Sequence, residues 1–416
     1  MNILFVHQNF PGQYRELFRY LVAQGGHRIV FLTQRSDAPH VEGAQIVVYK
    51  SHHKAAPGAY ALSSYWEDCC GNGFGAAQAC ETLKADGFRP DVILGHVGWG
   101  ELTFMKQVWP DVPVLGFFEY YFLSEGGSVG FDPEFPSSDQ ARFTMHARNA
   151  VNFANFQTVD LGHSPTTWQR DTFPESFHPG IYVCHDGIRT DRLHPNPDAR
   201  LQLARLDRPV TRADEVFTYM ARNLEPVRGF HVFMRALPHI LNARPNARAL
   251  IIGGNETSYG RKADEAGGYR ARMEREVGDR LDWNRVHFLG RVPYTSYKQV
   301  IQVSRCHIYL TVPFVLSWSL LEAMAMGATI VASDTAPVRE AVEHGKNGLL
   351  VDFFQPEALA RQVVEVLERP EAHAPLGAEA RRFVVGTHDF HTRTLPVHIS
   401  RINSLVPRAR RIELPR

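Results

Sequence analysis

Residues 308–350 read IYLTVPFVLSWSLLEAMAMGATIVASDTAPVREAVEHGKNGLL. IYLTV is apolar and β-rich and predicts a strand. Pro313 to Trp318 predict a loop, residues 319–326 a helix, and ATIVAS a second strand. Such a βαβ unit places a helix N-terminus at the carboxyl edge of a parallel sheet, where ligands bind. Unsatisfied N–H groups and the helix dipole there favour an anion.

Outward from this stretch the chain keeps the same alternation. NILFV opens it as a strand, followed by the loop HQNFPGQ, a helix over about 13–24 closed by Gly25-Gly26, and the strand HRIVFLT. Gly12 makes a tight turn in that loop. The loop lacks a complete G-x-G-x-x-G. Residues 36–75 are less regular, and their GNGFG run reads as part of a loop or lid. PDVILGH and VPVLGFFEYYF are strands ending near His96 and Glu119, positions that face the crevice of an open α/β sheet. His96 is a core histidine or a site residue. Glu119 is a structural partner of an arginine or a site residue. The Pro-punctuated polar stretch around 190–212 predicts a linker.

The second half begins with VFTYMARNLEPVRGFHVFM, where Arg222 and Arg228 flank a strand-to-helix turn. A strand ending at Gly253-Gly254-Asn255 follows. Next come a charged helical stretch over 261–285, read as a solvated face, and the turn Gly290-Arg291-Val292-Pro293. Ser319 and Glu322 also form a Ser-x-x-Glu capping box, which would contribute about 1 kcal/mol and no chemistry.

These motifs resemble the retaining nucleotide-sugar glycosyltransferases of the GT-B architecture, of the family 4 or group 1 type. LLEAMAMG is similar to the end of that family's Glu-x7-Glu signature, with Glu322 as the second glutamate. Phe314 stands where the first would be. RNLEPVRG resembles G-R-L-x-x-x-K-G, with arginine for lysine and one extra residue. VREAVEHGKNGLLVDFFQPEALA is similar to the family's downstream run. HDGIR resembles its interdomain connector, with Arg189 in place of an aspartate.

The resemblance implies an α/β fold of two Rossmann-like domains facing a central cleft. Residues 1–190 would be the acceptor-side domain and 212–390 the donor-binding domain. Residues 391–416 would cross back as a helix and tail. It implies transfer of a hexose or deoxyhexose, with retention, from a UDP- or GDP-linked donor to a glycan or lipid-linked acceptor in surface polysaccharide assembly. Arg222, Arg228, Glu119 and His96 would be catalytic. Gly12, Gly254, Asn255, Arg291, Val292, Leu316, Ser317, Trp318, Ser319, Leu320 and Glu322 would hold the donor, Glu322 through the ribose. Phe314 suggests a less polar sugar face. The departures from the motif leave a second reading, a catalytically silent subunit that binds a partner transferase or a glycan.

Composition narrows the alternatives. Lys+Arg 45 against Asp+Glu 44 argues against a broad grip on nucleic acid. No Asp-x-Asp pair occurs, so the sequence calls for no metal or other cofactor, and the arginines would neutralise the leaving diphosphate instead. The five cysteines contain no C-x-x-C pair, as expected of reduced thiols in a cytoplasmic protein. RARRIELPR reads as a frayed, solvated tail whose four arginines are alternatively placed to meet the inner membrane face.

Overall fold

The computed structural model describes residues 1–204, 206–263 and 265–413. Arg205 of the expected linker, Asp264 of the expected charged helix and Leu414, Pro415 and Arg416 of the expected tail lie outside them. Contacts divide the chain into two units. One comprises Met1–Val129, Ser137–Gly187 and the chain from Phe390 onward; the other comprises Gly130–Pro136 and Ile188–Asp389.

The first unit is built on seven parallel strands: β1 (Asn2–Val6), β2 (Arg28–Thr33), β3 (Ala44–Val48), β4 (Val92–His96), β5 (Val114–Phe117), β6 (Leu161–Ser164) and β7 (Ile181–Val183). Their order is β3-β2-β1-β4-β5-β6-β7. Both faces are covered, which is why the central strands are nearly continuous apolar runs. One face packs Leu4, Val6, Val30 and Ile93 against Cys80, Leu83 and Trp109. The other packs Ile3, Phe5 and Phe31 against Phe18, Leu21, Ile399 and Ile402.

In the second unit a two-stranded ribbon, β8 (Arg200–Leu201) and β9 (Val210–Thr211), precedes six parallel strands. These are β10 (Val216–Asn223), β11 (Arg248–Gly254), β12 (Val286–Gly290), β13 (Cys306–Tyr309), β14 (Thr329–Ser333) and β15 (Leu349–Val351). Their order, β12-β11-β10-β13-β14-β15, is that of a Rossmann sheet. In each sheet the order reverses once, between β1 and β4 and between β10 and β13. In open α/β sheets ligands bind at the carboxyl ends of the strands flanking such a reversal.

Four expectations are corrected. GNGFG is not a loop: it lies inside the helix Ser64–Ala85. A methyl group on Gly71 or Gly75 would overlap the backbone oxygen of His53 or Lys50, and one on Gly73 that of Gly100. The glycines are there so that neighbouring backbone can lie against the helix, a tertiary demand that outweighs their poor helix propensity. The expected linker is folded, with Leu193, Ala199, Leu201, Leu203 and Val210 buried in the second unit's core. Residues 130–136, expected within the first domain, pack in the second unit. There Phe131 meets Phe353 and Phe354, and Glu134 bonds Arg235 and Arg272. The tail is docked through residue 413: Ile412 is buried, exchanges two hydrogen bonds with Asn403, and Arg410 pairs with Asp91. Among the described residues no helix is long and apolar enough to cross a membrane.

Candidate functional site

In the second unit, β10 changes register between Met220 and Asn223 and runs into a 3-10 turn, Pro226–Arg228. Gly229 closes the turn at φ +65°, with its α-carbon so close to Leu310 that no side chain fits. This geometry turns Arg228 back across the end of β13. Arg228 is 6% exposed, and its guanidinium donates from Nη1 to Thr311 Oγ1 (2.8 Å), Val315 O (3.1 Å) and Tyr309 Oη (3.4 Å). The rings of Tyr259 and Phe314 lie 5.5 and 5.6 Å from it. All three acceptors are neutral, and among the described residues Arg228 joins no ion pair. A buried cation without an anionic partner carries a desolvation cost that an anionic ligand would offset.

The helix beyond this loop runs Trp318–Ala325, with Ser317 as its N-cap in place of the expected Ser319. Ser317 Oγ accepts the Ser319 N–H (3.3 Å), Ser317 O accepts that of Leu320 (3.2 Å), and the Ser317 N–H is given to Tyr309 Oη (2.9 Å). Three N–H groups expected to face a diphosphate are therefore engaged within the protein, and the Leu320 side chain is in the core. The capping box does not form either. Glu322 is buried and accepts from Tyr294 (2.9 Å) and Tyr297 (2.7 Å), both on the helix Tyr294–Val303.

Gly254 ends β11 beside the side chains of Asn223, Glu256 and Arg291. Arg291 donates to Glu256 (2.6 Å) and Asn223 (3.2 Å). Glu225, fully buried, accepts three successive backbone N–H groups from Ser258, Tyr259 and Gly260, and so fixes the loop that carries Tyr259 over Arg228. Arg222 does not join Arg228. It is exposed on β10 with no hydrogen bond or ion pair among the described residues, because the irregular register before Asn223 reorients the strand end.

In the first unit, His7 follows β1 and His96 ends β4, so both stand at the reversal of strand order. Their rings lie 5.5 Å apart, with Trp99 stacked on His96 at 3.8 Å and edge-on to His7 at 4.9 Å. Glu119, just past β5, accepts from Gln13 Nε2 (2.8 Å) and from His96 Nε2 (3.3 Å). Its partner is not an arginine. Burial pushes its carboxyl up, but the bonds from His96 and Gln13 outweigh that and hold it below the ordinary glutamate range. Burial, and then the nearness of His96, push His7 down to about 3. Gly12 adopts φ +55°, and a Cβ on it would run into the His7 ring, so the turn requires glycine. His7, Gln13, Trp99, Glu225 and Thr311 were not singled out from sequence. The strand-end rule that marked His96 applies equally to His7.

Two family models match the chain. Residues 25–193 match the glycosyl transferase family 4 group, and residues 206–383 match the glycosyl transferases group 1. The chain belongs to the family 4, group 1 glycosyltransferases.

Its structure is similar to sucrose-phosphate synthase of Thermosynechococcus elongatus, with TM-score 0.71, 18% identity and 96% and 97% of the two chains covered. It is also similar to Anabaena HepE solved with UDP-glucose, with TM-score 0.68, 16% identity and 96% and 99% covered. Both likenesses establish the GT-B fold of this family member. Among curated relatives, a GDP-mannose-dependent phosphatidylinositol monomannoside mannosyltransferase of Mycolicibacterium smegmatis is 24% identical over 54% of this chain. A D-inositol 3-phosphate glycosyltransferase of Streptomyces scabiei is 27% identical over 69%. The chain matches 58% and 60% of those relatives' lengths.

Proposed function

We propose that this protein is a retaining glycosyltransferase that takes a sugar from a UDP- or GDP-linked donor and transfers it, without a metal, to a glycan or lipid-linked acceptor. The observation that carries the reading is the buried Arg228 guanidinium, bonded among the described residues only to neutral oxygens, beside the start of the helix Trp318–Ala325. A diphosphate supplies the missing anion, and its charge grows as the glycosidic bond breaks. A fixed cation is therefore most effective in the transition state. Names of relatives and neighbours that carry UDP, UDP-glucose or GDP-mannose support the same donor class.

Within the reading, Arg228 is the principal diphosphate contact, with Arg222 as an exposed cation free to reach the ligand. Gly254, Asn255, Arg291 and Val292 line the nucleoside side. Glu322, held by its two tyrosines, presents its carboxylate to the ribose. Leu316 to Ser319 shape the loop in front of the phosphates. Glu119 and His96 orient the acceptor.

The test is thermal denaturation with UDP, GDP and ADP, then sugar-donor turnover with Arg228→Ala. A nucleotide at 100 times its dissociation constant stabilises by about 2.7 kcal/mol. No stabilisation by any of them, or equal stabilisation of the alanine variant, would overturn the reading. The silent-subunit alternative is favoured by Phe314 standing where the family motif has a glutamate. Binding without turnover of any acceptor would support it.

A further inference from the structure

His7 and His96 each receive a backbone N–H on Nδ1, from Asn9 (3.0 Å) and Gly98 (2.9 Å) respectively. A ring nitrogen that accepts carries no proton, so in both rings the hydrogen sits on Nε2. His7 Nε2 then donates to Gln13 Oε1 (2.6 Å). That bond settles which end of the Gln13 amide is oxygen and aims its NH2 at Glu119 Oε1 (2.8 Å). His96 Nε2 donates to Glu119 Oε2 (3.3 Å). Each carboxylate oxygen thus holds one N–H donor and keeps one lone-pair site. The Glu119 side chain is 30% exposed, so those sites reach the surface of the crevice. From below, Gln169 Nε2 fixes the Glu119 backbone oxygen (2.7 Å).

We infer that His7 and Gln13 are positioning residues, holding Glu119 as an ionised hydrogen-bond acceptor for the hydroxyl of an uncharged alcohol, a sugar or a polyol, that receives the transferred sugar. The inference rests on the transferase reading above and names the acceptor chemistry of the same protein. A carboxylate already bonded by two N–H groups gives no hydrogen bond and repels an anion, so the group beside it brings the proton and no negative charge. The charged and titratable groups facing Glu119 are His7 from the β1 end and His96 from the β4 end. Tyr65, on the helix Ser64–Ala85, also faces it, and Arg148 lies over the Tyr65 ring from the helix Asp139–Arg148. Loss of the Gln13 donor leaves burial to act on Glu119 with less opposition.

The test begins with the wild-type protein. Long-range nitrogen NMR is expected to show the Nε2–H tautomer for both His7 and His96. Carbon NMR of protein labelled at the glutamate carboxyl, with Glu119 assigned from Glu119→Gln, is expected to show titration below the ordinary glutamate range. In Gln13→Met that titration moves upward. With UDP-glucose or GDP-mannose as donor and glycerol as surrogate alcohol, the acid limb of transfer moves upward with it. The glycerol KM rises about tenfold, the loss of one hydrogen bond to a charged group. An Nδ1–H tautomer in either ring, or a Glu119 titration unmoved in Gln13→Met, would overturn the inference. Absence of nucleotide binding would overturn the transferase reading and with it the alcohol acceptor. The tautomers and the carboxyl titration would still decide whether His7 and Gln13 set Glu119. If Gln13→Met fails to fold, the wild-type tautomers and titration decide alone.

Discussion

Arg228 and Thr311 meet at 2.8 Å across the point where the second sheet reverses its strand order. The hydroxyl is fully buried, bonds onward to Val312 O, and takes one edge of a guanidinium that lies 5.5 Å from the Tyr259 ring and 5.6 Å from the Phe314 ring. An arginine held this way has little rotamer freedom left to lose when a ligand arrives, which favours tight anion capture.

Replacing Arg228 by lysine keeps the charge but removes the planar guanidinium whose Nη1 serves Thr311, Tyr309 and Val315. Nucleotide diphosphate affinity is expected to fall about tenfold in Arg228→Lys and further in Arg228→Ala, measured by calorimetry. Arg222→Ala should leave the folding stability unchanged within about 0.5 kcal/mol, because the side chain is exposed and unbonded among the described residues.

Tyr297→Phe removes one of the two hydroxyls that fix Glu322. Urea unfolding should show a loss of about 1–3 kcal/mol, since a buried carboxylate loses one of its hydroxyl donors. If Glu322 serves the ribose, the same variant weakens nucleotide binding more than it weakens binding of inorganic pyrophosphate, a comparison read by titration.

Gly71→Ala and Gly386→Ala separate two kinds of helical glycine. At Gly71 the new methyl would overlap the His53 carbonyl, and the overpacking should destabilise by about 1–3 kcal/mol. At Gly386, within the helix Pro370–Thr387, nothing lies within 4 Å, so alanine should stabilise by about 0.5–1 kcal/mol. Melting temperatures of the two variants will move in opposite directions.

Acid should unfold the protein through its buried histidines. Burial pushes His7 and His307 down to about 3 and His398 to about 4, and holds His163 well below the ordinary value. The unfolded chain takes up those protons near pH 6.5, the folded chain only near 3–4. Stability is therefore present above about pH 6.5 and lost as pH falls toward the folded values, by up to about 1.4 kcal/mol per histidine per unit. Denaturant midpoints between pH 7 and 5 will test the slope, and His307→Asn should reduce it.

The strand–loop–helix–strand pattern of 308–350 was legible because apolar period and helix length are local properties. The helix start was missed by one residue: Ser317 and Ser319 are both capping residues, and tertiary bonds to Tyr309 decide for Ser317. GNGFG was misread because a glycine run signals a turn unless neighbouring backbone needs the missing side chains. Arg222 matched a motif by spacing, but the extra residue and the register change in β10 separate it from Arg228. The Glu119 cluster was half legible. Strand ends marked His96 and Glu119, while Gln13 depends on a contact 106 residues away along the chain that no local pattern encodes.

The excursion of residues 130–136 means that the polypeptide passes between its two units at 129/130, 136/137, 187/188 and 389/390. No single cut can therefore yield two intact halves. A fragment spanning 188–389 would be missing Phe131 and Phe135, uncovering Phe353 and Tyr269, and would leave Arg235 and Arg272 without Glu134. Whoever wishes to handle the 188–389 unit in isolation must graft that seven-residue clasp back on, or accept a sticky, overcharged surface.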